Sequence, residues 1–251
     1  MELVDYEVID GLSPSAYQAA EPFPHAVLQD LIDPDVLRGI AREFPDPSEM
    51  STQYETALEI KSAEALWERF GPRTRSVIAE LNSGTFVRSL ERLTGIPGLI
   101  VDAGLYGGGQ HQIGRNGLLE VHADFNRHFS LGIFRRLNVL VYLNDPWEEA
   151  WGGDLELWDR DMPVKQVAPR LGTTVIFTTT TDAMHGHPHP LACPDGVTRK
   201  SLALYYYSAE PANELEPDRT TLFRDDMLKS ATSRKMHLAI WHLQQAVKSL
   251  R

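Results

Sequence analysis

Residues 118–125 read Leu-Leu-Glu-Val-His-Ala-Asp-Phe. In this run Leu119, Val121, Ala123 and Phe125 alternate with Glu120, His122 and Asp124, and a period of two belongs to a half-buried strand. The same texture continues on both sides. LIVDAGLY (99–106) and HQI (111–113) precede it; LNVLVYLND (137–145), DLELWD (154–159), TTVIFTTT (173–180) and SLALYYYS (201–208) follow, rich in β-branched and aromatic residues. Glycine-rich turns such as GGGQ (107–110) and WGGD (151–154) separate them. No helical crossover of a dozen residues lies between consecutive runs, and no glycine-rich phosphate loop opens a helix, so parallel nucleotide-binding folds are excluded. The spacing predicts a sandwich or jelly roll.

Outside this stretch the pattern changes. Asp33 is a capping residue and Pro34 fits the first turn of a helix over VLRGIAREF, which Pro45 and Pro47 bring to an end. SAEALWERF (62–70), closed by Gly71-Pro72, TRSVIAELNS (74–83) and TFVRSLERLTG (85–95) repeat apolar residues at three and four and read as helices covering one face of the strands. After Ala209 a polar segment leads into SRKMHLAIWHLQQAVKSLR (233–251), where Met236, Leu238, Ile240, Leu243 and Val247 predict a docked terminal helix. The expectation is one domain over 1–251, mainly β with flanking helices (α+β): a helical cover over 1–98, a β core over 99–208 and a C-terminal segment and helix over 209–251.

Composition narrows the function. Of 251 residues, 42% are hydrophobic and 24% charged, enough to bury a core. Lys and Arg number 24 against 35 Asp and Glu; a net charge of −11 repels phosphate backbones and anionic lipid surfaces, so neither nucleic acid nor membrane is an expected partner. A single cysteine, Cys193, excludes a disulfide framework or a multi-cysteine metal site and fits a reducing, cytoplasmic setting. The start lacks a basic-then-apolar signal pattern, and no stretch approaches the roughly 18 apolar residues of a membrane span.

His122 and Asp124 stand at i and i+2 on a strand, so imidazole and carboxylate project from one face and can converge on one ion. Just after TTVIFTTT, the segment DAMHGHPHP (182–190) crowds His185, His187 and His189, one of which is expected to complete a triad. Two imidazoles and a carboxylate on one face of an octahedral ion leave three positions open, which suits ferrous iron binding an oxidant and a bidentate cosubstrate. Alternation on the last strand puts Arg199, Ser201, Ala203 and Tyr205 on one face. An inward guanidinium needs an anion; its planar fork matches a carboxylate, and the Ser201 hydroxyl can add a further bond.

This order of H-x-D, distal His and Arg resembles the iron(II)/2-oxoglutarate-dependent dioxygenases, specifically their prolyl 4-hydroxylase-like branch, over roughly residues 99–208. The run VYLNDPWEEAWGGDLEL (141–157) agrees with it. The resemblance implies a double-stranded β-helix (jelly-roll, cupin-like) core. It implies His122, Asp124 and His185 as Fe(II) ligands, with Arg199, Ser201 and Tyr142 holding the far carboxylate of 2-oxoglutarate. O2 is then the oxidant and ascorbate a candidate accessory. His185 follows directly from the strand; His187 shares its face and is the alternative ligand or a residue of the mouth, and His189 is expected to be exposed. The implied activity is hydroxylation of an unactivated C–H bond of an amino acid, a peptidyl residue or a small natural product, with succinate and CO2 as coproducts. Because Asp124 is present, hydroxylation is favoured over the halogenation of relatives that lack this carboxylate.

Candidate substrate contacts are Asn126, two residues beyond Asp124, together with His111, Gln112, His187 and Tyr205. The role of the loop 186–198 is left open by its sequence. Two rivals stand beside this reading: a non-catalytic jelly-roll metal-binding or sensor module, whose metal would be filled by protein ligands, and a cupin-type dioxygenase without 2-oxoglutarate, which would not need Arg199.

Overall fold

The computed structural model describes residues 3–213 and 217–224. Five α-helices are present among them: α1 (Tyr6–Asp10), α2 (Pro14–Gln18), α3 (Pro34–Ala41), α4 (Pro72–Leu81) and α5 (Gly84–Thr94). The strands begin with β1 (His25–Leu28), β2 (Thr52–Glu55), β3 (Ile60–Glu64), β4 (Ile100–Val101), β5 (Gly109–Ile113) and β6 (Leu119–Ala123). They continue with β7 (Phe134–Tyr142), β8 (Leu155–Trp158), β9 (Pro163–Val167), β10 (Thr174–Thr178), β11 (Met184–His187), β12 (Arg199–Ser208) and β13 (Leu222–Phe223). The expected docked helix over 233–251 lies outside the described residues.

Two antiparallel sheets form the jelly roll. The eight-stranded sheet runs β1-β10-β7-β12-β5-β3-β2 with β4 against β12, and the five-stranded sheet runs β13-β6-β11-β8-β9. Period-two alternation sorts each central strand between two cores. Leu137, Val139 and Val141 of β7 and Leu202, Leu204 and Tyr206 of β12 pack outward against Leu37, Ile78, Leu90 and their helical neighbours. Tyr142 points the other way, between the sheets, with Leu155, Leu157, Val175 and Phe177. Burying such side chains contributes about 1.5–3 kcal/mol each, which makes the helical cover part of the sheet's own stability.

The N-terminal segment differs from its reading as a helical cover. Asp33 does cap α3, accepting from Asp35 N at 2.7 Å, and α4 and α5 lie where periodicity puts them. Three strands also arise there. SAEALWERF is not a helix: β3 occupies its first residues and a 3-10 turn spans Trp67–Arg69. Pairing overrides its helical spacing, because β3 finds the free edge of β5 with Ser62 opposite Gln112. LIVDAGLY is likewise cut short, since the Asp102 carboxylate accepts from Gly104 N at 2.8 Å and Tyr106 N at 2.5 Å and closes a turn. The loop after β11 is packed rather than free: Leu191 and Cys193 are buried against Ile113 and Trp147. Among the described residues no helix is long and apolar enough to cross a membrane.

Candidate active site

Neighbouring strands of the smaller sheet bring the distant residues together. β11 pairs with β6 so that His185 lies directly opposite His122, and a register shift follows before His187. A shift requires close backbone approach, which Gly186 allows: a Cβ there would sit 2.8 Å from Leu119 O. Ligand-bearing atoms of His122, Asp124 and His185 all lie within 4.8 Å of one another. His185, not His187, therefore joins the pair. The cluster of histidines sits on its own short strand, β11, rather than at the end of TTVIFTTT.

The hydrogen bonds around the imidazoles suit a metal. His122 Nδ1 lies 2.7 Å from Glu120 O, and His185 Nδ1 lies 3.0 Å from Ala183 O. A carbonyl can only accept, so each Nδ1 carries the proton and each Nε2 offers its lone pair. Both Nε2 atoms stand 3.6 Å from an oxygen of Asp124, beyond hydrogen-bond length and suited to enclosing a shared ion. Burial, partly opposed by Asp124, lowers the His185 pKa to about 4, which keeps that ring neutral as a ligand must be. Burial alone would raise the Asp124 pKa; the Arg135 guanidinium and then His185 and His122 more than offset it and hold this carboxyl well below the usual range.

Asp124 is itself held by two residues that sequence reasoning missed. Asn138 Nδ2 donates to Oδ2 at 2.7 Å, Arg135 Nη2 lies 3.0 Å from the same oxygen, and Arg135 Nε donates to Asn138 Oδ1 at 2.9 Å. Asn138 was open to discovery, because it shares a strand face with Tyr142. Arg135 was not. A bulge between the pairs Tyr206–Leu137 and Tyr207–Arg135 reverses the alternation of β7 and turns Arg135 inward.

Across the cavity Arg199 Nε donates to Gly153 O at 2.7 Å, Nη2 donates to Tyr142 Oη at 3.2 Å, and the guanidinium stacks 4.8 Å over the Tyr142 ring. Gly153 makes this contact possible at φ +80, where a Cβ would meet Leu191 Cδ2 at 2.5 Å. Burial raises the Tyr142 pKa despite Arg199, so the phenol stays a donor. Ser201 lines the same cavity with Arg199, Tyr142 and the triad.

The remaining candidates divide. His111, His187 and Tyr205 line the cavity, and His189 is exposed as expected. Gln112 points away, donating to Pro45 O at 3.0 Å and accepting from Thr198 Oγ1 at 2.7 Å, because only alternate residues of β5 face inward. Asn126 is also a correction: it lies past the end of β6, where alternation lapses, and its amide binds Pro217 O and Arg219 N. His128, in the loop after β6, is buried with Nε2 3.4 Å from Asp102 Oδ2. Lys61 of β3 lines the cavity too, a residue hidden by the helical reading of its surroundings.

Comparison with known proteins agrees with this geometry. Residues 108–207 match the 2OG-Fe(II) oxygenase superfamily. No curated protein matches the chain. A Pseudomonas putida prolyl-4-hydroxylase shares the fold with a TM-score of 0.57 at 17% identity, covering 82% of this chain and 99% of its own. A Trichoplax adhaerens prolyl hydroxylase, solved with a hypoxia inducible factor oxygen degradation domain peptide fragment, gives 0.59 at 13% identity, with 90% and 94% covered. HygX from Streptomyces hygroscopicus, solved with nickel, 2-oxoglutarate and hygromycin B, gives 0.51 at 12% identity, with 81% and 94% covered. The match to the 2OG-Fe(II) oxygenase superfamily spans the part of the chain that carries His122, Asp124, Tyr142, His185 and Arg199.

Proposed function

We propose that His122, Asp124 and His185 hold Fe(II), that Arg199, Tyr142 and Ser201 hold the far carboxylate of 2-oxoglutarate, and that the enzyme hydroxylates an unactivated C–H bond. The balance is substrate C–H, O2 and 2-oxoglutarate to substrate C–OH, succinate and CO2. Iron supplies the redox chemistry when bound. The chain's own residues position and shield. Arg199 and Tyr142 fix one end of the cosubstrate, so its keto acid end is aimed at the triad from one direction. Asn138 and Arg135 keep the Asp124 carboxylate oriented. Leu140 and Leu155 line the same cavity and exclude water from it.

The observation that carries this reading is the convergence of the triad and the Arg199–Tyr142 pair on one cavity. The neighbours solved with a peptide and with hygromycin B leave both peptidyl and small-molecule substrates within the class. Anaerobic reconstitution with Fe(II), followed by 2-oxoglutarate titration and a screen for substrate-stimulated succinate release, tests it. Arg199→Ala is expected to weaken cosubstrate binding sharply while leaving metal in place. Undiminished 2-oxoglutarate affinity in that variant would refute the assignment and favour a cupin-type reaction.

A further inference from the structure

Lys61 reaches the cavity from the hairpin of β2 and β3. Its Nζ lies 2.7 Å from Glu59 Oε1 and 4.9 Å over the Tyr54 ring, with 11% of its side chain exposed. A surface lysine keeps its ammonium in water; this one is desolvated beside a reaction site. Its charge is felt by His111, His187 and Tyr205. Tyr205 in turn lies 3.4 Å under the Arg135 guanidinium that holds Asp124. Lys61 and Tyr205 line the one cavity, and the strand of Lys61 is separated by β5 from the one carrying Arg199.

Lys61 lines this cavity together with the triad, and its ammonium carries three N–H donors. Among the described residues Glu59 is its ion-pair partner, so donors remain for an acceptor that enters the cavity, and a carboxylate is the acceptor that a desolvated ammonium binds most strongly. Independently, both ring nitrogens of His187 are buried with no hydrogen-bond partner among the described residues, and this side chain, 3% exposed, lines the same cavity. A polar group left so is normally satisfied by something that binds.

We propose that the substrate is a small molecule bearing a carboxylate, that Lys61 receives this carboxylate, and that His187 is a second donor open to the same ligand. The proposal rests on the reading of the site as one for Fe(II) and 2-oxoglutarate, and deepens it by naming the substrate class. Glu59 and the Tyr54 ring position the ammonium.

The test uses the full chain with Fe(II) and 2-oxoglutarate under anaerobic conditions. Its visible charge-transfer band first reports cosubstrate binding, and absence of that band refutes the underlying reading rather than this proposal. Free L-α-amino acids and simple hydroxy and aliphatic acids, each beside its own carboxamide, are then added. Acids are expected to perturb the band and to stimulate succinate release on admission of O2, while the amides bind at least ~10-fold more weakly, as expected for the loss of one charge-assisted hydrogen bond. Lys61→Gln should erase the preference for acid over amide, with the 2-oxoglutarate titration retained as proof of folding, and Lys61→Arg should restore part of it. Equal action of acids and amides, response only to longer peptides, or silence across all acids in protein that binds 2-oxoglutarate would overturn the proposal.

Discussion

Asn138→Ala removes one of the two donors that hold the proposed metal carboxylate. In the native site Asn138 Nδ2 lies 2.7 Å from Asp124 Oδ2, and Arg135 Nη2 supports the same oxygen at 3.0 Å. A hydrogen bond to a charged group contributes about 1.5–3 kcal/mol, or roughly 10–100-fold in an equilibrium constant. Loss of such an orienting contact commonly lowers metal affinity by about the same factor. Folding is touched less directly. Arg135 Nε loses the Asn138 Oδ1 acceptor at 2.9 Å, and a buried donor left unsatisfied costs about 1–3 kcal/mol. For a chain of this size that corresponds to a fall of roughly 2–12 °C in melting temperature. Competition of Mn(II) or Co(II) against a chelator gives the metal affinity, and a melt of the metal-free protein gives the stability. Metal affinity within about twofold of wild type, alongside a lowered melt, would refute the reasoning by reducing Asn138 to a packing residue.

Arg199→Ala should weaken 2-oxoglutarate by about 100-fold or more, since two charge-assisted bonds are lost, with metal affinity retained; anaerobic absorption titration reads both. Gly153→Ala should raise the 2-oxoglutarate Kd in the same titration without touching the triad, because the new Cβ would lie 3.2 Å from Arg199 Cδ at a backbone angle that L-residues resist. The metal-free protein should lose stability as pH falls below about 6.5. Burial lowers the pKa values of His25, His111, His185 and His187, so the unfolded chain takes up protons first and acid favours it. Urea midpoints at about pH 7.5 and about pH 5.5 measure this, and equal midpoints would contradict the neutral, buried state of these rings.

Much of the active centre was legible because strands convert spacing into direction. His122 with Asp124, and Arg199 with Ser201 and Tyr205, needed only alternation to be placed on shared faces, and the structure brings all five to the cavity. Alternation fails where strands end or bulge. Asn126 lies just past β6 and turns to the segment at 217–219, whereas Arg135 faces inward through a bulge that no local pattern announces. The choice between His185 and His187 depended on a register shift opposite Gly186, a property of the pairing rather than of either strand. Lys61 was missed for a different reason: SAEALWERF carries helical spacing, and only the open edge of β5 draws its first residues into a sheet.

The β2–β3 hairpin joins the larger sheet through β3 alone, with β2 as the outermost strand. It contributes none of the oxidation machinery, yet it brings an ammonium to the place where that machinery acts. Selectivity and reactivity are thereby encoded by separable stretches of chain, free to diverge at different rates. Exchange of residues 52–64 between relatives should redirect molecular preference while the oxidising engine is inherited intact.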